Sequence, residues 1–328
     1  MRRAVAWWER RQIALYIGAI LVGVGVGLVL PGLAQPLELA INPTLGLLLY
    51  ATFLGVPFTA IGAAFRDVRF LAAVLALNFV LIPVVVFALS RFVATDQALL
   101  VGVLFVLLTP CVDYVIVFAG LAGGAKERLL AATPLLMFLQ ILLLPVYLWL
   151  MAGPDVVSAF EVRPFVEAFL HLIVLPLAMA VITQLLAKRW RAARAVEHAA
   201  LAAMVPLMML TLAVVVGSQV YAVAGALGQL ISVVPIYVAF VLLAGPLGVL
   251  VGSVARLDVP GMRAVVFSGV TRNSLVVLPL ALALPSSFAV APLVVVTQTL
   301  VELVAMVVMV ALVPRFLGSP RRRVGSLG

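Results

Sequence analysis

Apolar residues run along this chain in ten long blocks separated by short polar punctuation. The blocks lie at approximately 12–30, 42–64, 69–90, 98–122, 129–152, 165–187, 197–220, 230–254, 262–284 and 288–314. Each is close to the roughly 20 residues a helix needs to cross the hydrocarbon of a bilayer. Each predicts one spanning helix, and no linker is long enough to divide the chain. The expectation is an all-α integral membrane protein forming a single polytopic domain over residues 1–328.

Composition agrees. The chain is 66% hydrophobic and only 10% charged, where soluble domains carry about 25% charged residues. A soluble enzyme or soluble binding module is excluded. The lone cysteine rules out an intramolecular disulfide. Met1-Arg-Arg and Pro31-Gly-Leu-Ala34 imitate a signal peptide and its cleavage site. However, the apolar run Ile13–Leu30 exceeds the roughly 7–15 residues of a signal core, so it is read as a retained first span.

The net charge of +9 reports topology rather than nucleic-acid binding. Arg2, Arg3, Arg10, Arg11, Arg66, Arg69, Lys126, Arg128, Lys188, Arg189, Arg191, Arg194, Arg256, Arg263, Arg315, Arg321, Arg322 and Arg323 fall on one side of the ten-span layout. Only Arg91 and Arg163 fall on the other, with Glu38, Asp96, Asp155, Glu161 and Glu167. This positive-inside bias places both termini in the cytoplasm and the chain in the cell membrane. Trp7, Trp8 and Trp149 fit interfacial anchors.

The two halves echo one another. Pro134-Leu-x4-Gln140 and Pro292-Leu-x4-Gln298 share a pattern at an offset of 158. Pro43 and Pro206, and Pro83 and Pro246, recur at 163. Two repeats follow, about 12–152 and about 165–314. With five spans each they face opposite ways, an inverted arrangement typical of secondary transporters that bind substrate between the repeats.

Spans four and nine carry the chemistry. The first holds Thr109-Pro-Cys-Val-Asp113, and the second aligns with it through Ser268-Gly-Val-Thr-Arg-Asn-Ser274. Pro110 and Thr271 are the expected helix breaks. Asp113, Arg272 and Glu302 are charges at membrane depth, where ionisable groups are costly and functional by default. Arginine keeps its proton, so Arg272 needs an anionic partner, and Asp113 is the natural one if the segments cross. That pair is either a structural lock or the organiser of a substrate or proton site. Glu302, four residues after Gln298 on one helical face, is either a proton carrier or a packing residue. Asp113 is the other candidate for the coupling proton. Cys111 is a small hydrophobe or a soft ligand for a thiophilic solute. Asn42, Asn78 and Gln219 are polar groups in or near spans. His171, His198 and the cluster Met204, Met208, Met209 read as structural. No metal-ligand spacing, cofactor fingerprint or nucleotide motif appears, so no cofactor and no enzymatic activity are expected.

Cys111–Gly124, with its Leu-Ala-x-Gly ending, resembles the fourth-span signature of the arsenical-resistance arsenite permeases. Thr271-Arg-Asn-Ser274 resembles the ninth-span motif shared by those permeases and the bile acid:sodium symporters. The resemblance implies a panel-and-core architecture in which discontinuous spans four and nine cross. It also implies efflux of arsenite or antimonite in exchange for protons, with Cys111 at the thiol position and Asp113, Arg272, Asn273 and Ser274 shaping the site. The chain departs from the permeases at Leu275, where they carry glutamate, and at Phe118-Ala119, where they carry Trp-Asn. Ser268 and Arg272 stand where the symporters place sodium ligands, so Arg272 puts its own cation where sodium would sit. Two other readings stand beside this one. The first is transport of an organic anion with Arg272 as fixed cation. The second is a non-transporting receptor or scaffold.

Overall fold

A computed structural model of the protein describes residues 2–55, 66–112, 114–153 and 170–318. Among the described residues all regular elements are helical. The first are α1 (Arg2–Val29), α2 (Ala34–Leu54) and α3 (Val68–Ala76). A π turn over Leu77–Leu81 leads into α4 (Ile82–Ser90). Then come α5 (Gln97–Leu107), α6 (Tyr114–Leu121) and α7 (Lys126–Ala152). After a second π turn (Leu170–Val174) follow α8 (Leu175–Ala187), α9 (Arg191–Ala202), α10 (Met204–Gly225) and α11 (Leu227–Leu230). The chain ends with α12 (Val234–Val254), α13 (Val259–Val270), α14 (Ser274–Leu282) and α15 (Ala291–Phe316).

Among the described residues, six stretches are long and apolar enough to cross a membrane: Pro31–Leu54, Val68–Val93, Lys126–Ala152, Met204–Gly225, Leu227–Val254 and Ser286–Phe316. Large apolar side chains such as Leu39, Phe138, Leu242 and Val304 face outward. That is the surface expected where the solvent is lipid rather than water.

Local chemistry explains where helices stop and bend. Pro83 cannot donate to the carbonyl four residues back, Phe79 O. The helix relaxes into the π turn just before it, and Tyr147 Oη donates to the freed Phe79 O at 2.6 Å. The π turn also carries Asn78, which is fully buried. Asp96 caps α5, accepting from the amides of Ala98 (3.0 Å) and Leu99 (3.1 Å). Asp258 caps α13, accepting from Gly261 N at 3.3 Å. Side-chain caps of this kind fix helix starts.

The helices sort into two packed groups. In one, α10 packs on α1 and α2, and α8 packs on α2. In the other, α12 packs on α13 and α4, α15 on α5, α12 and α14, and α13 on α6. The groups meet where α10 touches α15 and where α2 touches α14. The second group holds its helices at close range. A Cβ on Gly102 would lie 2.7 Å from Val294 Cβ, and one on Gly248 would lie 2.8 Å from Val266 Cα. Small residues let membrane helices approach to such distances.

Three sequence expectations shift. The second apolar block begins its helix at Ala34, eight residues before the expected 42, because Gln35 and Glu38, though hydrophilic, are good helix formers. Residues 197–202 belong to α9, a separate helix with no buried residue, and α10 begins at Met204. The Arg and Glu of α9 keep it at the membrane edge rather than in it. Arg263, counted among solvated basic residues, is buried. Its Nη1 donates to Ala122 O (2.9 Å), and its Nη2 to Pro314 O (3.4 Å) and Gly318 O. It closes the carbonyl ends of α6 and α15, as cations near helix C-termini do.

Candidate functional site

Between α5 and α6, and again between α13 and α14, the chain leaves the helix and runs extended. Leu108, the residue that caps the end of α5, still bonds in helical register, donating to Leu104 O. Pro110 then disfavours helical geometry at Thr109. In the other segment Thr271 is extended, with φ −84° and ψ 138°. The two breaks lie side by side as an isolated antiparallel bridge centred on Pro110 and Arg272. Cys111 N donates to Thr271 O (3.2 Å), and Asn273 N donates to Thr109 O (2.9 Å). The pair exchanges partners under a sequence shift of 162, and the same shift relates further features. Thr109 Oγ1 donates back to Phe105 O (3.0 Å), and Thr271 Oγ1 to Phe267 O (2.7 Å). The capping residues Asp96 and Asp258 match at the same shift.

These cross-chain bonds divert amides that would otherwise close the last helical turns. In an α-helix each carbonyl accepts from the amide four residues on. Leu107 O would take Cys111 N, which goes to Thr271 O instead. Gly269 O would take Asn273 N, which goes to Thr109 O. Ser268 O would take Arg272 N, which donates to Glu302 Oε2 at 2.8 Å. Three carbonyls are thereby released inside a buried core, where an unsatisfied polar group costs several kcal/mol.

Arg272 takes all three. Its Nη1 donates to Leu107 O at 3.2 Å, and its Nη2 to Ser268 O and Gly269 O, each at 2.8 Å. Nη2 also donates to Asn78 Oδ1 at 2.7 Å. Asn78 is held in turn through Nδ2, which donates to Val74 O and Ser268 Oγ, each at 3.0 Å. The guanidinium lies 5.3 Å from the Phe240 ring centroid, in cation–π range. The residue is 0% exposed. An arginine at mid-membrane costs roughly 3 kcal/mol even by the lenient insertion scale. Hydrogen bonds to a charged group return about 1.5–3 kcal/mol each, so four acceptors more than offset that cost.

The remaining predicted residues take their places around this centre. Cys111 is a buried thiol in the bridge, in no disulfide. Asn273 and Ser274 are each 1% exposed and open α14. Both amide atoms of Asn273 and the hydroxyl of Ser274 have no hydrogen-bond partner among the described residues. Glu302 is buried and also accepts from Gln298 Nε2, leaving Gln298 Oε1 unpartnered. Asp113, the expected partner of Arg272, lies outside the described residues, as do Arg163, Asp155, Glu161, Glu167 and the Arg321–Arg323 run. Of the other polar candidates, Gln219 is buried against Ser218 and Asn42 is exposed. Met208 is buried among apolar neighbours, while His198 and Trp149 are exposed. Thr109 and the carbonyls of Leu107, Ser268 and Gly269 were not among the sequence candidates. The regular shift of 162 between Asp96, Phe105 and Thr109 and their counterparts Asp258, Phe267 and Thr271 was the signal that could have found Thr109.

Broken helices crossing in an apolar core, with buried polar groups at the break, are the arrangement of a multi-pass secondary transporter of solutes. The profile of the Sodium Bile acid symporter family matches residues 42–226, more than half of the chain, and the protein belongs to that family. No curated protein matches the chain.

Proposed function

We propose that this protein exports a small neutral hydroxylated solute, arsenite or antimonite in the trivalent form, in exchange for protons, at the crossing of the two broken helices. The observation that carries this reading is the composition of the unpartnered set. Asn273 and Ser274 offer buried, uncharged donors and acceptors next to a bridge that holds the Cys111 thiol. A neutral triol-like solute fits such groups, and soft sulfur suits a soft element. An organic anion would need a cation whose charge is not already shared. The Arg272 guanidinium is shared by Leu107 O, Asn78 Oδ1, Ser268 O and Gly269 O. Glu302, and Asp113 on the sequence, are the carboxylates proposed to carry the coupling proton.

The architecture proposed with it is ten spans in two inverted repeats of five, about 12–152 and about 165–314, in one domain over 1–328. Both termini lie in the cytoplasm of a cell-membrane protein. The exchange of bonds between residues 162 apart supports the repeat. Four shorter apolar helices, Ala14–Val29, Gln97–Leu107, Leu175–Ala187 and Val259–Val270, supply the spans beyond the six long ones.

The test is arsenite accumulation in cells expressing wild type, Cys111→Ser and Asn273→Ala. Wild type lowers accumulation, and both variants lose most of that effect. Equal exclusion by wild type and Cys111→Ser would remove the thiol from the mechanism. No exclusion by wild type would remove the solute. Flux in proteoliposomes that ignores arsenite and disappears in Arg272→Gln would favour the organic anion, and no flux of any solute would favour a receptor.

A further inference from the structure

Among the described residues, the oxygens that accept from the Arg272 guanidinium share one property. Asn78 Oδ1 and the carbonyls of Leu107, Ser268 and Gly269 are all uncharged, hard donors converging from three elements. Leu107 ends α5, and Ser268 and Gly269 lie in the last turn of α13. Helix C-termini carry free carbonyls and the negative end of the macrodipole. Two such ends pointed at one spot, with an amide oxygen between them, make a cation site. Broken-helix transporters use ends of this kind to hold their driving ion.

We propose that Arg272 is a tethered cation occupying a monovalent-cation site built by the ends of α5 and α13 and by Asn78, so that the protein completes this site itself and operates without a sodium ion there. Three observations lead to this. The carbonyls are released because Cys111 N, Asn273 N and Arg272 N bond elsewhere. The side chain that returns to them belongs to the residue whose own amide was diverted. And Asn78 is fixed in a π turn through Nδ2, which donates to Val74 O and Ser268 Oγ, so its Oδ1 is presented independently of the arginine. Removing the guanidinium therefore leaves an oxygen cage with an unmet demand for positive charge. Sodium, or free guanidinium, fills that demand.

This inference does not depend on which solute is carried, and its test needs no solute. The full-length protein is purified in detergent, and its thermal unfolding midpoint is read in sodium chloride, potassium chloride and choline chloride at equal ionic strength. Binding of radiolabelled sodium is measured alongside. For wild type the midpoints coincide and no saturable sodium binding is seen. Arg272→Ala unfolds at a lower temperature in choline. Sodium, or millimolar guanidinium, raises its midpoint by a few degrees in a saturable way, because a ligand that binds only the folded state stabilises it. Arg272→Lys keeps a tethered charge and stays indifferent to sodium. Saturable sodium binding or sodium stabilisation in wild type overturns the proposal. So does a folded Arg272→Ala that responds to none of the cations. If Arg272→Ala does not fold in any salt, Arg272→Lys decides: sodium stabilisation of that variant overturns the proposal, and indifference supports it.

Discussion

The peptide N–H of Arg272 donates to Glu302 Oε2 at 2.8 Å, joining the break between α13 and α14 to the middle of α15. The bond has two consequences at once. It removes the amide that would have closed the turn at Ser268 O, and it gives a buried carboxylate a main-chain partner. The arginine side chain then returns to Ser268 O. One residue thus commits its backbone to an acid and its side chain to carbonyls. A change at Glu302 is therefore felt directly at the crossing.

Glu302→Gln keeps an acceptor for Arg272 N but holds no titratable proton. Flux driven by an imposed pH gradient falls to background in proteoliposomes, while solute exchange without a gradient persists. Glu302→Leu leaves the Arg272 amide unpaired as well, and lowers stability by about 1–3 kcal/mol. Undiminished gradient-driven flux in Glu302→Gln would assign the proton elsewhere.

Among the described residues, Asn78 Oδ1 is the side-chain oxygen that accepts from the guanidinium, beside three main-chain carbonyls. Asn78→Leu removes that charge-assisted bond and the bond to Ser268, at a cost of about 3 kcal/mol or more. Asn78→Asp keeps the acceptor oxygen and adds opposite charge, so it is better tolerated than Asn78→Leu. Unfolding midpoints in detergent rank wild type above both, with Asn78→Leu last. The reverse order would mean that the cage does not anchor Arg272.

The two breaks depend on helices that start in the right place. Asp96→Ala and Asp258→Ala each cost about 1 kcal/mol through lost capping. Asp258 also pairs with Arg128 at 2.7 Å, but both side chains are substantially exposed. That pair adds only about 0–1 kcal/mol, and high salt removes the difference between the variants. Chemical denaturation at low and high salt reads both effects.

Close packing between α5 and α15 is tested by one methyl group. Gly102→Ala places its Cβ against Val294 and costs about 1–3 kcal/mol. Gly25→Ala, on α1 with nothing within 4 Å, gains about 0.5–1 kcal/mol from helix propensity. Equal effects at the two positions would mean that α5 and α15 do not approach as described.

The sequence by itself determined the membrane class, because twenty-residue apolar blocks with few charges have no other stable setting. It also marked the break at Pro110, which lacks an amide. Pro83, Asp96 and Asp258 act by equally local chemistry, within one turn, but it took the structure to show them at a bend and at two helix starts. The sequence pointed to Cys111, Arg272, Asn273 and Glu302, since polar groups among apolar neighbours are conspicuous. It paired Arg272 with an acid on charge alone. What only the tertiary structure decided is what Arg272 holds among the described residues: three main-chain carbonyls and Asn78. Main-chain carbonyls have no letter in a sequence, and these became available only when two segments 162 residues apart exchanged their hydrogen bonds.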